Sequence, residues 1–289
     1  MITLVYTLLG IVLLTVTPSP ALPQGGGSTA SPLPQGGGST ASPLPLGGGA
    51  GGGGLIEFTP QYPLWSDGMD KRRWLQLPAG TAIDKSDADR WEFPRGTQAW
   101  KEFSRDARRV ETRHIERLPD GSWSYRTYAW NADGTHATLA PEDGIPERGI
   151  PSRADCVACH EGAPSPILGY SAVQLTARLE PALGYLHGNC GHCHNSEALP
   201  ALGLELLQRV TNPEASAAAT RASLIGRSSR FRPHGAATTD RARILITRMK
   251  SRDPLTRMPP IGVEIADTAG IAVIERWLEQ LNPAPEKTP

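Results

Sequence analysis

The sequence predicts an α+β protein, with a β-rich N-terminal domain over residues 57–152 followed by an all-α domain over residues 153–283. Three observations predict it. Six of the seven tryptophans stand between Trp65 and Trp130, among β-branched residues and turn signals. Apolar residues recur at helical spacing in residues 171–187 and again in 267–281. No charged residue precedes Glu57, so the 29 Lys+Arg and 29 Asp+Glu all belong to the part that can fold. Their zero balance gives no electrostatic reason to expect nucleic acid or an anionic membrane surface as partner.

Residues 1–21 read as a signal peptide or an N-terminal anchor. Met1–Thr17 is apolar and uncharged, where a signal-peptide core takes about 7–15 apolar residues and a spanning helix about 20. Ser19-Pro20-Ala21 offers small residues for cleavage after Ala21, and an uncleaved segment would serve instead as a membrane tether. Residues 22–56 form a Gly/Pro-rich linker: LPQGGGSTASP repeats at a period of 11 and ends in Gly51–Gly54. Gly and Pro at this density forbid helix and leave no apolar surface to bury, so a disordered linker is expected.

The β-rich segment divides at its turns. Pro119-Asp120-Gly121 separates Val110–Leu118 from Ser122–Trp130, and Asn131-Ala132-Asp133-Gly134 precedes Thr135–Leu139. An antiparallel meander follows, in a small sandwich or barrel-like domain. Trp123, Tyr125 and Thr127 share one face at period two, a pattern of core packing.

The chemistry is carried by the four cysteines. They form two copies of one pattern, Cys156-Val157-Ala158-Cys159-His160 and Cys190-Gly191-His192-Cys193-His194. C-x-x-C-H is the attachment sequence of c-type haem. Two thiols reach the two vinyl groups of one porphyrin, and the adjacent His supplies the proximal axial ligand. A zinc site of Cys156, Cys159, Cys190 and Cys193 has acceptable spacing, but zinc does not require His after the second Cys in both copies. Two disulfides leave the paired histidines unexplained, and a thioredoxin-like pair lacks its βαβ context. The pattern therefore favours two haems c, with His160 and His194 on the irons.

Around the second motif the apolar spacing of Ser171–His187 predicts a helix broken or restarted at Pro181. Asp267 is placed to cap a helix through Leu281 whose stripe is Ile271, Ile274, Trp277, Leu278 and Leu281. Between them stands Arg257-Met258-Pro259-Pro260. A Met thioether suits the second axial position of an electron-carrying haem, and the two prolines hold Met258 in an extended segment.

This order of helix, CGHCH, Met loop and C-terminal helix with an aromatic residue resembles the class I cytochrome c fold over residues 171–282. The resemblance implies an all-α cytochrome c-like domain, with Cys190, Cys193 and His194 as haem attachment and proximal ligand and Met258 as distal ligand. Over residues 57–282 the chain also resembles a family of exported bacterial dihaem c-type cytochromes. YPLWSDG, FPRGTQAWKEF, CVACHEGAPSPILGY, YLHGNCGHCHN and RDPLTRMPP carry that likeness. It implies periplasmic electron transfer between a quinol or dehydrogenase system upstream and an exported acceptor downstream.

Only 29 residues separate His160 from Cys190, too few for a cytochrome domain around the first haem. It is expected at the junction of the two domains, and Met69, His114, His136, His187, His234 and Met249 are all available as its distal ligand. Residues 284–289 read as a flexible tail. An electron relay leaves no group acting as acid, base or nucleophile. The alternative is a dihaem peroxidase with one open iron, which needs an acid or base beside that iron and two separate haem domains. No phosphate-binding loop, dinucleotide fingerprint or H-E-x-x-H motif is present.

Overall fold

Strand-forming residues in the tryptophan-rich segment build one antiparallel sheet. In the computed structural model, residues 54–225 and 238–281 are described. The expected leader or anchor (residues 1–21), nearly all of the linker, His234 and the tail 284–289 lie outside the described residues. Strands β1 (Ile56–Glu57), β2 (Asp70–Gln76), β3 (Gln98–Arg105), β4 (Arg108–Arg117), β5 (Trp123–Trp130) and β6 (Ala137–Leu139) lie side by side in chain order, as a meander. Asp106 and Ala107, both at positive φ, close the two-residue β3–β4 turn. Between β4 and β5 the turn predicted at Pro119-Asp120-Gly121 is closed by Gly121 at φ 95°, and Asp120 accepts from the Ser122 amide.

Across β2, β3, β4 and β5, Leu75, Ala99, Ile115 and Tyr125 stand opposite one another. All four are buried. Their cover comes from helix α1 (Arg153–His160), helix α2 (Ala172–Leu175) and the segment between them: Cys156, Ala172 and Ile167 pack on the same sheet residues. A single open sheet with helices over one face replaces the expected sandwich or barrel.

The expectation of an all-α class I cytochrome c-like domain is overturned as well. Among the described residues the helices are short, the longest having 14 residues, and the first two share a core with the sheet. The physical reason is that the apolar face of the sheet must be covered. The helices that come next in the chain do so, and are not released to build a bundle of their own.

The second core joins α3 (Pro181–Asn189), α4 (Pro213–Ile225), α5 (Thr238–Lys250) and α6 (Thr268–Leu281). Leu183, Leu186, Ile271, Ile274 and Trp277 are buried there. The chain breaks before Pro181, and Asp267 caps α6 by accepting from the Gly270 amide at 2.8 Å.

Residues 58–67 strap the two cores together. The Tyr62 amide donates to Gln174 Oε1, and the Trp65 amide donates to Asn189 Oδ1 at 2.7 Å. Asp67 accepts from the amides of Glu264 and Ile265. This strap fixes α3, which leads into the second motif, and the loop that follows Met258. No helix among the described residues is long and apolar enough to cross a membrane.

Candidate functional site

Ser152 and Asp155 make a reciprocal capping box, so α1 begins three residues before Cys156. One turn separates Cys156 from His160, which places both on one side of the helix. Cys156 is buried on the sheet. The His160 ring lies 5.5 Å from that of Tyr125, and its Nδ1 is 2.6 Å from the Pro166 carbonyl oxygen. A carbonyl partner requires the proton on Nδ1 and leaves Nε2 as the free lone pair, the arrangement of a metal-ligating histidine. Burial lowers the His160 pKa to about 4, which keeps the ring neutral.

The second motif leaves the C-terminus of α3. The His194 amide donates to the Cys190 carbonyl at 2.8 Å, and the Leu206 amide donates to the His194 carbonyl. Asn195, itself buried, ties the second motif to the turn that follows the first: its Nδ2 donates to the carbonyls of Gly162 at 2.9 Å and Gly191 at 2.8 Å. His194 Nδ1 is buried without a hydrogen-bond partner among the described residues.

All seven residues predicted for the site line one cavity of about 170 Å³: Cys156, Cys159 and His160 from α1, Cys190, Cys193 and His194 from the second motif, and Met258. Pro259 and Pro260 continue the wall after Met258, whose amide is held by the Arg248 carbonyl at 2.9 Å. Of the candidates for the first distal ligand, Met249 reaches the cavity from the buried face of α5. His114 also lines it, with Nε2 beside Gln98 Oε1 at 3.1 Å. His187 Nδ1 accepts from the Gln208 amide, and neither Met69 nor His136 is in the cavity wall.

The four thiols differ. Burial pushes the Cys190 thiol up to about 12 and raises that of Cys156. Cys159 shares a hydrogen bond with Cys193 that, with burial, raises the former, while the same bond lowers the latter. The ligand atoms of Cys159, Cys193 and His192 lie within 4.8 Å of one another. This three-residue group, and not a four-cysteine cluster, is the one with metal-ligand spacing among the described residues. His192 escapes sequence reasoning because it occupies a variable position inside C-x-x-C-H. Arg73, Lys101 and Arg113, also in the cavity wall, were equally invisible, since alternating polar residues in a strand read as its solvated face.

Comparison with family models, curated proteins and solved structures gives no match.

Proposed function

We propose that this chain is a c-type cytochrome that carries a haem on each C-x-x-C-H motif and relays electrons. The observation that supports it most directly is that both motifs and Met258 open into one cavity. The donor set fits the group: each motif offers two thiols for thioether bonds, and His160 presents Nε2 with Nδ1 already held by Pro166. Bound haem would supply an iron that takes up and gives back one electron at a time. The protein's share would be to hold the group through His160 and His194, to offer the Met258 thioether as a further ligand, and to enclose it in a cavity whose wall is largely apolar. Met249, in the same cavity wall, is a second thioether available to the group. A cavity wall that offers two thioethers favours relay over peroxidase chemistry. Covalent attachment occurs outside the cytoplasm in bacteria that make such cytochromes, so the reading includes export. Its partners are a quinol or dehydrogenase system that gives electrons and an exported protein that accepts them.

The test is intact mass and a reduced pyridine haemochrome spectrum after expression with cytochrome c maturation machinery. Two haems per chain are expected, falling to one in Cys156→Ala/Cys159→Ala and to one in Cys190→Ala/Cys193→Ala. Met258→Ala should keep both haems and open one iron to carbon monoxide. A chain without haem overturns the reading. If that chain binds one Zn²⁺ lost on His192→Ala, the group Cys159, His192 and Cys193 is a metal site instead.

A further inference from the structure

The cavity wall carries charge that the protein does not balance. Arg73 on β2 stands directly opposite Lys101 on β3, and Lys101 directly opposite Arg113 on β4. Like charges facing one another across adjacent strands are unfavourable. Here the row lies on the same sheet face as Leu75, Ala99 and Ile115, two residues along each strand, and so points inward. Arg73 is only 5% exposed. Among the described residues no hydrogen bond or ion pair engages its guanidinium or the Lys101 ammonium. Lys101 Nζ and the Arg113 guanidinium both lie over the Phe103 ring, at 4.7 and 4.4 Å. Glu111 pairs with Arg113 at 2.6 Å, attracts Lys101 from a greater distance without forming an ion pair with it, and leaves Arg73 unanswered. The carboxylates in the cavity wall are Asp155 and Asp267, each spent on a helix cap.

Burial lowers Arg73 to about 10 and, with the neighbouring cations, drives Lys101 well below its ordinary range. An anion seated between them would reverse both effects, because a buried charge is tolerated when it is paired.

We propose that Arg73, Lys101 and Arg113 form a carboxylate-binding site in the cavity wall, filled in the mature protein by the propionates of the haem joined to Cys156 and Cys159. The choice of occupant rests on the dihaem reading; the site itself rests on the two cations of the row that have no ion pair, Arg73 and Lys101. A carboxylate accepts bidentately from a guanidinium fork, and the two propionates of one haem match a row of three cations of which one already has Glu111. A free dicarboxylate would meet the same chemistry.

The experiment compares wild type with Arg73→Gln, Lys101→Met and the double variant, and uses Arg72→Gln as control, since Arg72 is exposed and bonded to Glu57. Each matured protein is assayed for haem content, for the reduction potential of each haem, and for succinate binding by calorimetry. Replacing a buried, unpaired cation removes a desolvation cost, so the variants are expected to fold. If propionates fill the row, wild type does not bind succinate, and the variants lower the potential of one haem by removing positive charge near it. If a free carboxylate fills it, wild type binds succinate, and each variant weakens binding by about tenfold or more. Unchanged potentials together with no succinate binding overturn the site. Should no haem attach, the dihaem reading fails by itself. The site then stands if the apoprotein binds succinate and the variants do not, and falls if wild type fails to bind it.

Discussion

Gly184 and Gly188 lie one turn apart on α3, and both face Tyr62 of the strap. A Cβ at Gly184 would run into the Tyr62 ring, whereas a Cβ at Gly188 would run into the Tyr62 carbonyl oxygen. The two obstacles differ in kind, because truncation of Tyr62 removes the ring and keeps the peptide. Overpacking costs about 1–3 kcal/mol, while Gly→Ala inside a helix returns about 1 kcal/mol. Gly184→Ala should therefore destabilise wild type by up to about 2 kcal/mol, yet stabilise Tyr62→Ala by about 1 kcal/mol, a coupling of about 1–3 kcal/mol. Gly188→Ala should be as damaging in one background as in the other. Urea unfolding of wild type, the three single variants and the two double variants measures both couplings. Thermal melts should move by about 2–4 °C per kcal/mol for a protein of this size. Equal effects of Gly184→Ala in both backgrounds, or rescue of Gly188→Ala by Tyr62→Ala, would refute the docking of the strap on the helix that leads into the second motif.

Three further outcomes are expected. Burial lowers His114 and His187 to about 4 each. The unfolded chain therefore binds more protons below pH 6.5, and stability is lost as pH falls from 6.5 through 4, by up to about 2.7 kcal/mol per pH unit for the two together; a urea midpoint that holds steady or rises between pH 7 and pH 5 contradicts this. In the apoprotein, Cys159→Ala removes the hydrogen bond that lowers the Cys193 thiol, so alkylation of Cys193 near neutral pH should slow, and an unchanged rate speaks against the pairing. Asn195→Ala leaves the Gly162 and Gly191 carbonyls without their side-chain donor and should cost about 2–6 kcal/mol at about 1–3 kcal/mol each. Haem loading should suffer at both motifs, and a loss confined to one would show that Asn195 does not couple them.

Local rules made part of this molecule readable. Ile271, Ile274 and Trp277 recur at helical spacing, and they are the buried face of α6. Gly121 marked a turn because a positive φ favours glycine. Asp106-Ala107 makes an equally tight turn without a glycine, so nothing in composition announced it. The helical layer was misjudged for a related reason: periodicity shows that a helix has an apolar face but not what covers it, and α1 and α2 spend theirs on the sheet. The strap defeats local reasoning altogether, since Trp65 and its partner Asn189 are 124 residues apart.

The neutral sum of charges conceals how they are distributed. Glu57, Glu92 and Glu116 pair with Arg72, Arg117 and Arg126, all in or beside the sheet, whereas Arg73 and Lys101 turn inward with no acid opposite them. A chain that only needed a stable sheet would gain by replacing those two with Leu or Val, as their neighbours Leu75 and Ala99 illustrate in the same face. Two inward-facing cations, Arg73 buried and Lys101 half-buried, in the same cavity wall as two C-x-x-C-H motifs are therefore better understood together. On the proposed reading the motifs would supply covalent anchorage at one side of the cavity, and the sheet supplies positive charge at another. A ligand that is apolar over most of its surface and carboxylated at one edge answers both demands at once. The 29-residue interval between His160 and Cys190 then becomes a consequence of the architecture: the motifs need no separate domains, because the sheet core and the helical core each bring one of them to a single cavity.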